Sequence, residues 1–398
     1  MRRVSLLSLA VLATALAGCG EDEERSTRVK GDTLTVYASL PTQGLGAEAG
    51  KAAELGMRQA LSDADGRIAG RTVRLVPLPS TRLGDEVWDP GTVEANAERA
   101  AADDSAIAYI GELDQGGSAV SLPVTNRTGL LHVSPADGLT SLTRTPPGRP
   151  RAGPERYYPE GKRNFVRLVP PDLKGAREIV AALRERGSRR LAVVDGEQIA
   201  DRELDSMVAS LIGTGFPHTV ERVAIRNMDE AAKLREHVAD VVETVIAARP
   251  DAILYAGAAG AEAGALLGEL SVRLSDVPVF GGPPLAAGAS RFPRSPEGSC
   301  AMTGVAAPPR TSRAARRLVA DVRRWGAPNA AWDALLGYDA MRLVLDAIED
   351  GGPDRRRVAV AAREPERRQG LMGGYSVDRR GDPQGREVVC LPLSPAVG

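Results

Sequence analysis

Three groups of residues in this chain carry types and spacings that could do chemistry. Gln115-Gly116-Gly117 stands just before a helix-like run that begins at Ser118. An amide and free backbone N–H groups there could receive an anion at a helix N-terminus. A glycine-rich turn capping a helix fits the same residues. Asp137, in Ala136-Asp137-Gly138, could meet an amine or could be a solvated turn carboxylate, and Asp114 offers the same pair of readings. Tyr37 and Tyr255 end short apolar runs, where core packing suits them better. Glu262 follows Gly260 at a helix start, where negative charge is simply favourable. His132, His218 and His237 have no metal-ligand spacing, and Cys19, Cys300 and Cys390 are too scattered for a zinc site. HExxH, GxSxG, Walker A and a strand-following GxGxxG are all missing, so no cofactor is expected and no motif speaks for catalysis.

The elements that must position these residues alternate. Leu34–Ala38 is a short apolar run rich in β-formers, and Ala49, Ala52, Ala53, Met57, Ala60 and Leu61 then recur at helical spacing. Strands are expected at 72–78, 107–110 and 130–133, with helices at 93–102 and 118–128. Residues 144–163 hold five prolines and three glycines and read as an exposed loop at a lobe boundary. The rhythm then restarts, with strands at 165–169, 190–194, 219–225, 252–255 and 277–280. Helices are expected at 175–187, 202–211, 229–248 and 262–270. Two amphipathic helices, 313–325 and 335–350, precede a hairpin-like tail at 375–391. Such a rhythm predicts an α/β fold of parallel sheets flanked by helices.

Lys plus Arg number 51 against 52 Asp plus Glu, a net charge of −1, so no basic surplus exists for nucleic acid. With 398 residues, and about 100–200 per domain, two domains are expected. Arg2 and Arg3 open the chain, and Val4–Ala17 is apolar but shorter than the roughly 20 residues a membrane span needs. Leu16-Ala17-Gly18-Cys19 resembles the bacterial lipobox. That resemblance implies a lipoprotein signal peptide over 1–18, a diacylglyceryl thioether on Cys19 and a lipid-anchored tether over 19–31. An ordinary secreted chain is the alternative. Either way the folded part is expected outside the cytoplasm, where disulfides persist.

The body resembles the type I periplasmic-binding-protein family, and within it the branched-chain amino-acid and amide-binding proteins of ABC importers. The segments that carry the likeness are Leu40-Pro-Thr-Gln-Gly44, Ile110-Gly111, Leu130-Leu-His-Val-Ser-Pro-Ala136 and Phe165-Val-Arg-Leu168. Arg249-Pro-Asp-Ala252, Gly337-Tyr-Asp-Ala340 and Asp378-Arg-Arg-Gly-Asp382 continue it. The resemblance implies a two-lobed clamp, with 32–145 plus 301–372 as lobe 1 and 164–300 plus 373–398 as lobe 2. Residues 146–163 would be a Pro/Gly-rich crossover loop. It implies a small polar ligand (an amino acid, amide or related carboxylate), an ABC permease as partner, and no enzyme activity. A ligand-sensing or accessory lipoprotein of the same fold with an altered pocket is the first alternative, and an extracytoplasmic enzyme, for which no nucleophile–base pair is found, is the second. Ligand-binding positions expected on this basis are Gln43, Gln115, Gly116, Gly117, Ala136, Asp137, Gly138 and Tyr255. The chain departs from the family pattern at Glu112–Gly117, at Gly138, at Gln198-Ile199-Ala200 and at Pro283-Pro284. Because the strands holding Cys300 and Cys390 run side by side in that fold, the resemblance also suggests a disulfide between them.

Overall fold

The structure is a computed structural model. It describes residues 27–85, 87–196, 199–213, 219–225, 231–289, 292–304, 312–327 and 330–393. The first part runs β1 (Thr33–Leu40), α1 (Ala47–Asp63), β2 (Arg67–Ile68), β3 (Arg71–Pro79), α2 (Pro90–Ala102), β4 (Ala106–Ile110), α3 (Ser118–Arg127), β5 (Leu131–Ser134) and β6 (Phe165–Arg167). Every β1 residue after Thr33 is buried. A strand apolar on both faces belongs at the centre of a covered sheet. β1 accordingly lies between β3 and β4 in the order β2-β3-β1-β4-β5-β6. All these pairings are parallel except that of β2 with β3. α2 starts where it does because Asp89 accepts from the Thr92 N–H at 2.8 Å and Pro90 takes the first helical position.

The second lobe follows: α4 (Asp172–Glu185), β7 (Arg190–Asp195), α5 (Ile199–Ile212), β8 (Thr219–Ala224), α6 (Ala231–Ala247), β9 (Ala252–Ala256), α7 (Ala261–Arg273), β10 (Val279–Gly281), α8 (Pro283–Ala286) and β11 (Cys300–Thr303). Its sheet has the order β15-β11-β10-β9-β7-β8, where β15 (Val389–Pro392) is the last strand of the chain's described residues. The chain then returns to lobe 1 as α9 (Arg313–Arg324), α10 (Ala331–Gly351) and α11 (Arg355–Ala361). Three short strands, β12 (Arg368–Gly370), β13 (Gly373–Val377) and β14 (Pro383–Gln384), form a small sheet, and β15 (Val389–Pro392) ends in lobe 2, antiparallel to β11. α10 packs along α1, and its Leu336, Met341 and Val344 share one core with Val36 and Ile110.

The two-lobed α/β architecture agrees with the reading of the sequence, but the sheets divide the chain differently from the boundaries expected there. Residues 144–163 stay with lobe 1, where Tyr157 and Tyr158 are buried beside Leu122 and Phe165. β6, expected in lobe 2, forms the edge of the first sheet beside β5. β11, expected to open the return to lobe 1, pairs with β10 to its end in lobe 2. Tyr375 and Val377 of β13 join the lobe 1 core, so the last crossing follows β14 rather than residue 372. Proline and glycine mark where the backbone is irregular, not which sheet its ends will join.

The end of the expected tether is docked rather than solvated. Val29 is buried and its N–H donates to Pro353 O at 2.7 Å, while Thr27 Oγ1 donates to Asp354 at 3.0 Å. The signal segment, Cys19, Gln198 and His218 lie outside the described residues. Cys300 and Cys390, on the neighbouring strands β11 and β15, are joined by a disulfide with Cα atoms 5.4 Å apart.

Candidate functional site

Ligands of open α/β sheets bind beyond the carboxyl ends of the strands. Beyond β4 and β5 lie two loops of lobe 1, 111–117 and 135–143, that face lobe 2. They are stitched together by their own polar groups. Ser134 Oγ donates to Glu112 O at 2.7 Å and accepts from the Asp137 N–H at 2.8 Å. The Gln115 side-chain amide donates to Ala136 O at 3.2 Å, and its oxygen accepts from the Gly138 N–H at 3.1 Å. Asp137 is fully buried, and its carboxylate accepts from the N–H groups of Ser118 and Leu139, each at 3.0 Å. It is neither a solvated turn residue nor a group held out to a ligand. It is the anion at the N-terminus of α3. Burial raises its pKa, while N–H donation from Gly116, Leu139 and Ser118 opposes that rise.

The glycines expected at the site are there for close approach. A Cβ on Gly116, whose φ is +83°, would come within 2.7 Å of Ile199 Cγ2 from lobe 2. On Gly117 it would meet Glu112 Cγ at 2.6 Å, and on Gly138 it would meet Asp172 Oδ1 at 2.2 Å. Gln43 turns away to the neighbouring loop, donating to Arg82 O and accepting weakly from the Gly84 N–H. Tyr255 is 1% exposed in the lobe 2 core, with its hydroxyl donating to Ala258 O at 3.0 Å. Thus Gln115, Gly116, Gly117, Ala136, Asp137 and Gly138 come together on one wall, and Gln43 and Tyr255 do not join them.

Lobe 2 meets that wall through α5. Ile199 and Ala200 pack with Leu122, Leu139 and Leu142, and Glu203 accepts from the Ser141 N–H at 3.1 Å across the lobes. A cavity of about 10 Å³ lies in lobe 2 beside the crossings, lined by Asp172, Gly175, Leu204, Met302 and Thr303 among others. That is room for about one water. A larger cavity, about 480 Å³, lies on lobe 1 alone, between Pro41, Lys51, Pro79 and Trp325.

Sequence reasoning did not single out Asp172 and Glu203, and it gave Asp114 less weight than Asp137. Burial pushes Asp114 up to about 7, with Asp137 and Asp333 adding to the rise, and pushes Glu112 up to about 8. Burial also raises Asp172 well above the usual carboxylate range; nearby Glu203 and Asp137 raise it further and Arg167 opposes them. Glu203 was findable. It lies three residues from Ala200 and four from Met207, on the face of α5 that is buried. Asp172 gives no such signal, because an acid in the first turn of a helix is ordinary.

Several solved structures share this fold. The leucine-binding protein LivK of Thermotoga maritima is 22% identical with a TM-score of 0.70, over 90% of this chain and 94% of that one. A solute-binding protein of an R. palustris ABC transporter, solved with benzoate, is 16% identical with a TM-score of 0.65, over 92% and 98%. The substrate-binding protein LivJ of Streptococcus pneumoniae, solved with isoleucine, is 16% identical with a TM-score of 0.64, over 90% and 99%. No curated protein sequence matches the chain. The family model described as periplasmic binding protein matches residues 33–386, most of the chain, and this protein belongs to that family.

Proposed function

We propose that the chain is an extracytoplasmic solute-binding protein of an ABC importer, held to the membrane by lipid on Cys19. It closes its lobes on a small polar ligand and presents it to the permease. The observation that carries this reading is the meeting of the two lobes at the carboxyl ends of their strands, across the loops after β4 and β5 and the start of α5. Contacts to both lobes would shift the population from open to closed. The ligands named for the leucine, isoleucine and benzoate proteins support a small solute as the class.

A thermal-shift series on the mature chain tests this. Amino acids, amides, amines, carboxylates and nucleosides are added in turn. A ligand at 100 times its dissociation constant adds about 2.7 kcal/mol of stability, so a clear rise in Tm with one chemical class is the expected result. No shift with any class would sink the reading. Cys19→Ala should also move the protein from the membrane fraction to the soluble one. The internal use of Gln115 and Asp137 favours a second reading, a sensor or accessory lipoprotein with an altered pocket. That protein would shift with no solute but would be captured with a membrane partner.

A further inference from the structure

The wall between the lobes carries several buried carboxyl groups beside the guanidinium of Arg167. Asp172 is 8% exposed, lines the small lobe 2 cavity and lies against Gly138 of lobe 1. Its N–H donates to Gly138 O at 2.8 Å, but among the described residues its carboxylate takes part in no hydrogen bond or ion pair. The nearby guanidinium of Arg167 is committed elsewhere, to Asp382 at 2.8 Å, to Leu139 O at 2.8 Å and to Thr143 Oγ1. Asp114 Oδ2 is buried in the adjoining loop, also without a hydrogen-bond partner. Glu203, 2% exposed, approaches from lobe 2, with backbone N–H and hydroxyl neighbours at 140–141 and the Arg167 charge acting on it. Carboxylates taken out of water must be met by a cation or keep a proton.

The place where lobe 1 could receive an anion is already filled. Asp137 of the chain itself occupies the N-terminus of α3, and the Gln115 amide is bonded at both its oxygen and its nitrogen. An incoming carboxylate would find only the second Gln115 N–H there and would face the Asp172 carboxyl group.

We propose that the interlobe cleft takes an organic cation, an alkyl amine or guanidinium carrying no carboxylate, and that Asp172 is the group that meets its charge. This rests on the solute-binding reading above and names the ligand class for the same site. Gly138 has its place in the arrangement, since any side chain there would displace the Asp172 carboxylate.

The test titrates the full mature chain in moderate salt with agmatine and putrescine, and with leucine and benzoate as carboxylate-bearing counterparts, by calorimetry and thermal shift. Saturable binding of agmatine or putrescine, with leucine and benzoate inert, is expected. Asp172→Asn should weaken that binding by about tenfold or more, the loss that follows removal of one charge-assisted hydrogen bond. Its own Tm should stay level or rise, because a buried unpaired carboxylate has been removed. If leucine or benzoate binds and both amines are inert, the cation assignment is overturned while the solute-binding reading stands. Equal amine affinity in Asp172→Asn overturns the role of Asp172. If these four and every other solute class fail to bind, the solute-binding reading itself falls and the cation assignment falls with it.

Discussion

At the residue scale, buried titratable groups near the cleft set how stability depends on pH. Glu112 is 1% exposed, with one carboxylate oxygen accepting from the Tyr109 hydroxyl at 2.7 Å and the other without a hydrogen-bond partner among the described residues. Burial raises its pKa from 4.5 to about 8. Between those values the folded chain keeps a proton that the unfolded chain releases. The stability Glu112 contributes is therefore full below about 4.5 and is lost as pH rises through about 8. Glu112→Gln keeps an oxygen for Tyr109 and removes the titration. Its Tm should match the parent near pH 5 and exceed it near pH 8.5, by an amount on the order of a few kcal/mol of stability. Parallel Tm curves across that range would refute this. His132 acts in the opposite direction. It is fully buried between Tyr109 and Phe165, and burial lowers its pKa from 6.5 to about 3. The folded chain binds fewer protons there, so stability falls as pH drops from 6.5 through about 3.

At the scale of elements, α1 and α10 cross where each presents a glycine. A Cβ on Gly337 would land 2.1 Å from Ala53 O, and one on Gly56 would land 1.8 Å from Ala334 O. Gly337→Ala must push the helices apart and should cost about 1–3 kcal/mol, as overpacking does. Gly268, within α7, has nothing within 4 Å of its would-be Cβ. Gly268→Ala should instead gain about 0.5–1 kcal/mol from helix propensity alone. Chemical denaturation of the pair checks both signs, and a Gly337→Ala as stable as the parent would overturn the close-approach argument. α1 itself was legible, because Ala52, Ala53, Met57 and Ala60 recur at helical spacing and all are buried. The reason Gly337 is glycine was not legible, because it depends on Ala53 in an element far away in sequence. The same holds at the site. The loop carrying Asp137 could be read, but whether its carboxylate faces the cleft or the start of α3 is decided by where Ser118 and Leu139 stand in space. β15 shows the same dependence, since its sheet is set by pairing with β11 and not by its hairpin-like sequence. The Cys300–Cys390 bridge closes a separation of 90 residues, a loop for which the chain-entropy account gives about 4–5 kcal/mol. Reductant should lower Tm clearly, and two free thiols in unreduced, denatured protein would refute the bridge.

At the scale of the whole molecule, motion must come from the crossings between lobes, because the polar anchors beside them are held within lobe 1. Asp382 is buried against Arg144 and Arg167; burial alone would raise its pKa, but the two guanidinium groups outweigh it and hold it below the usual range. Arg386 is tied to Asp339 on α10 at 3.1 Å and donates to Met372 O at 2.5 Å. Both anchors end where the chain leaves for lobe 2, so bending falls at 168–171 and just before β15, while the third crossing, beyond Thr303, enters residues outside those described. Against that freedom stands the hydrogen bond from Ser141 N–H to Glu203 Oε1, which spans the lobes directly. A bond to such a group is worth about 1–3 kcal/mol, enough to change the ratio of open to closed molecules by about five- to 150-fold. Glu203→Ala should therefore open the clamp and raise the radius of gyration measured by small-angle X-ray scattering. Glu203→Gln retains an oxygen for the Ser141 N–H and should stay as compact as the parent. If the alanine variant scatters like the parent, Glu203 does not hold the lobes together, and the apolar contact of Ile199 and Ala200 with Leu139 and Leu142 is what does. If the glutamine variant opens as well, the charge of Glu203 rather than its acceptor oxygen governs closure, and the lobes respond to the acid balance of the cleft itself.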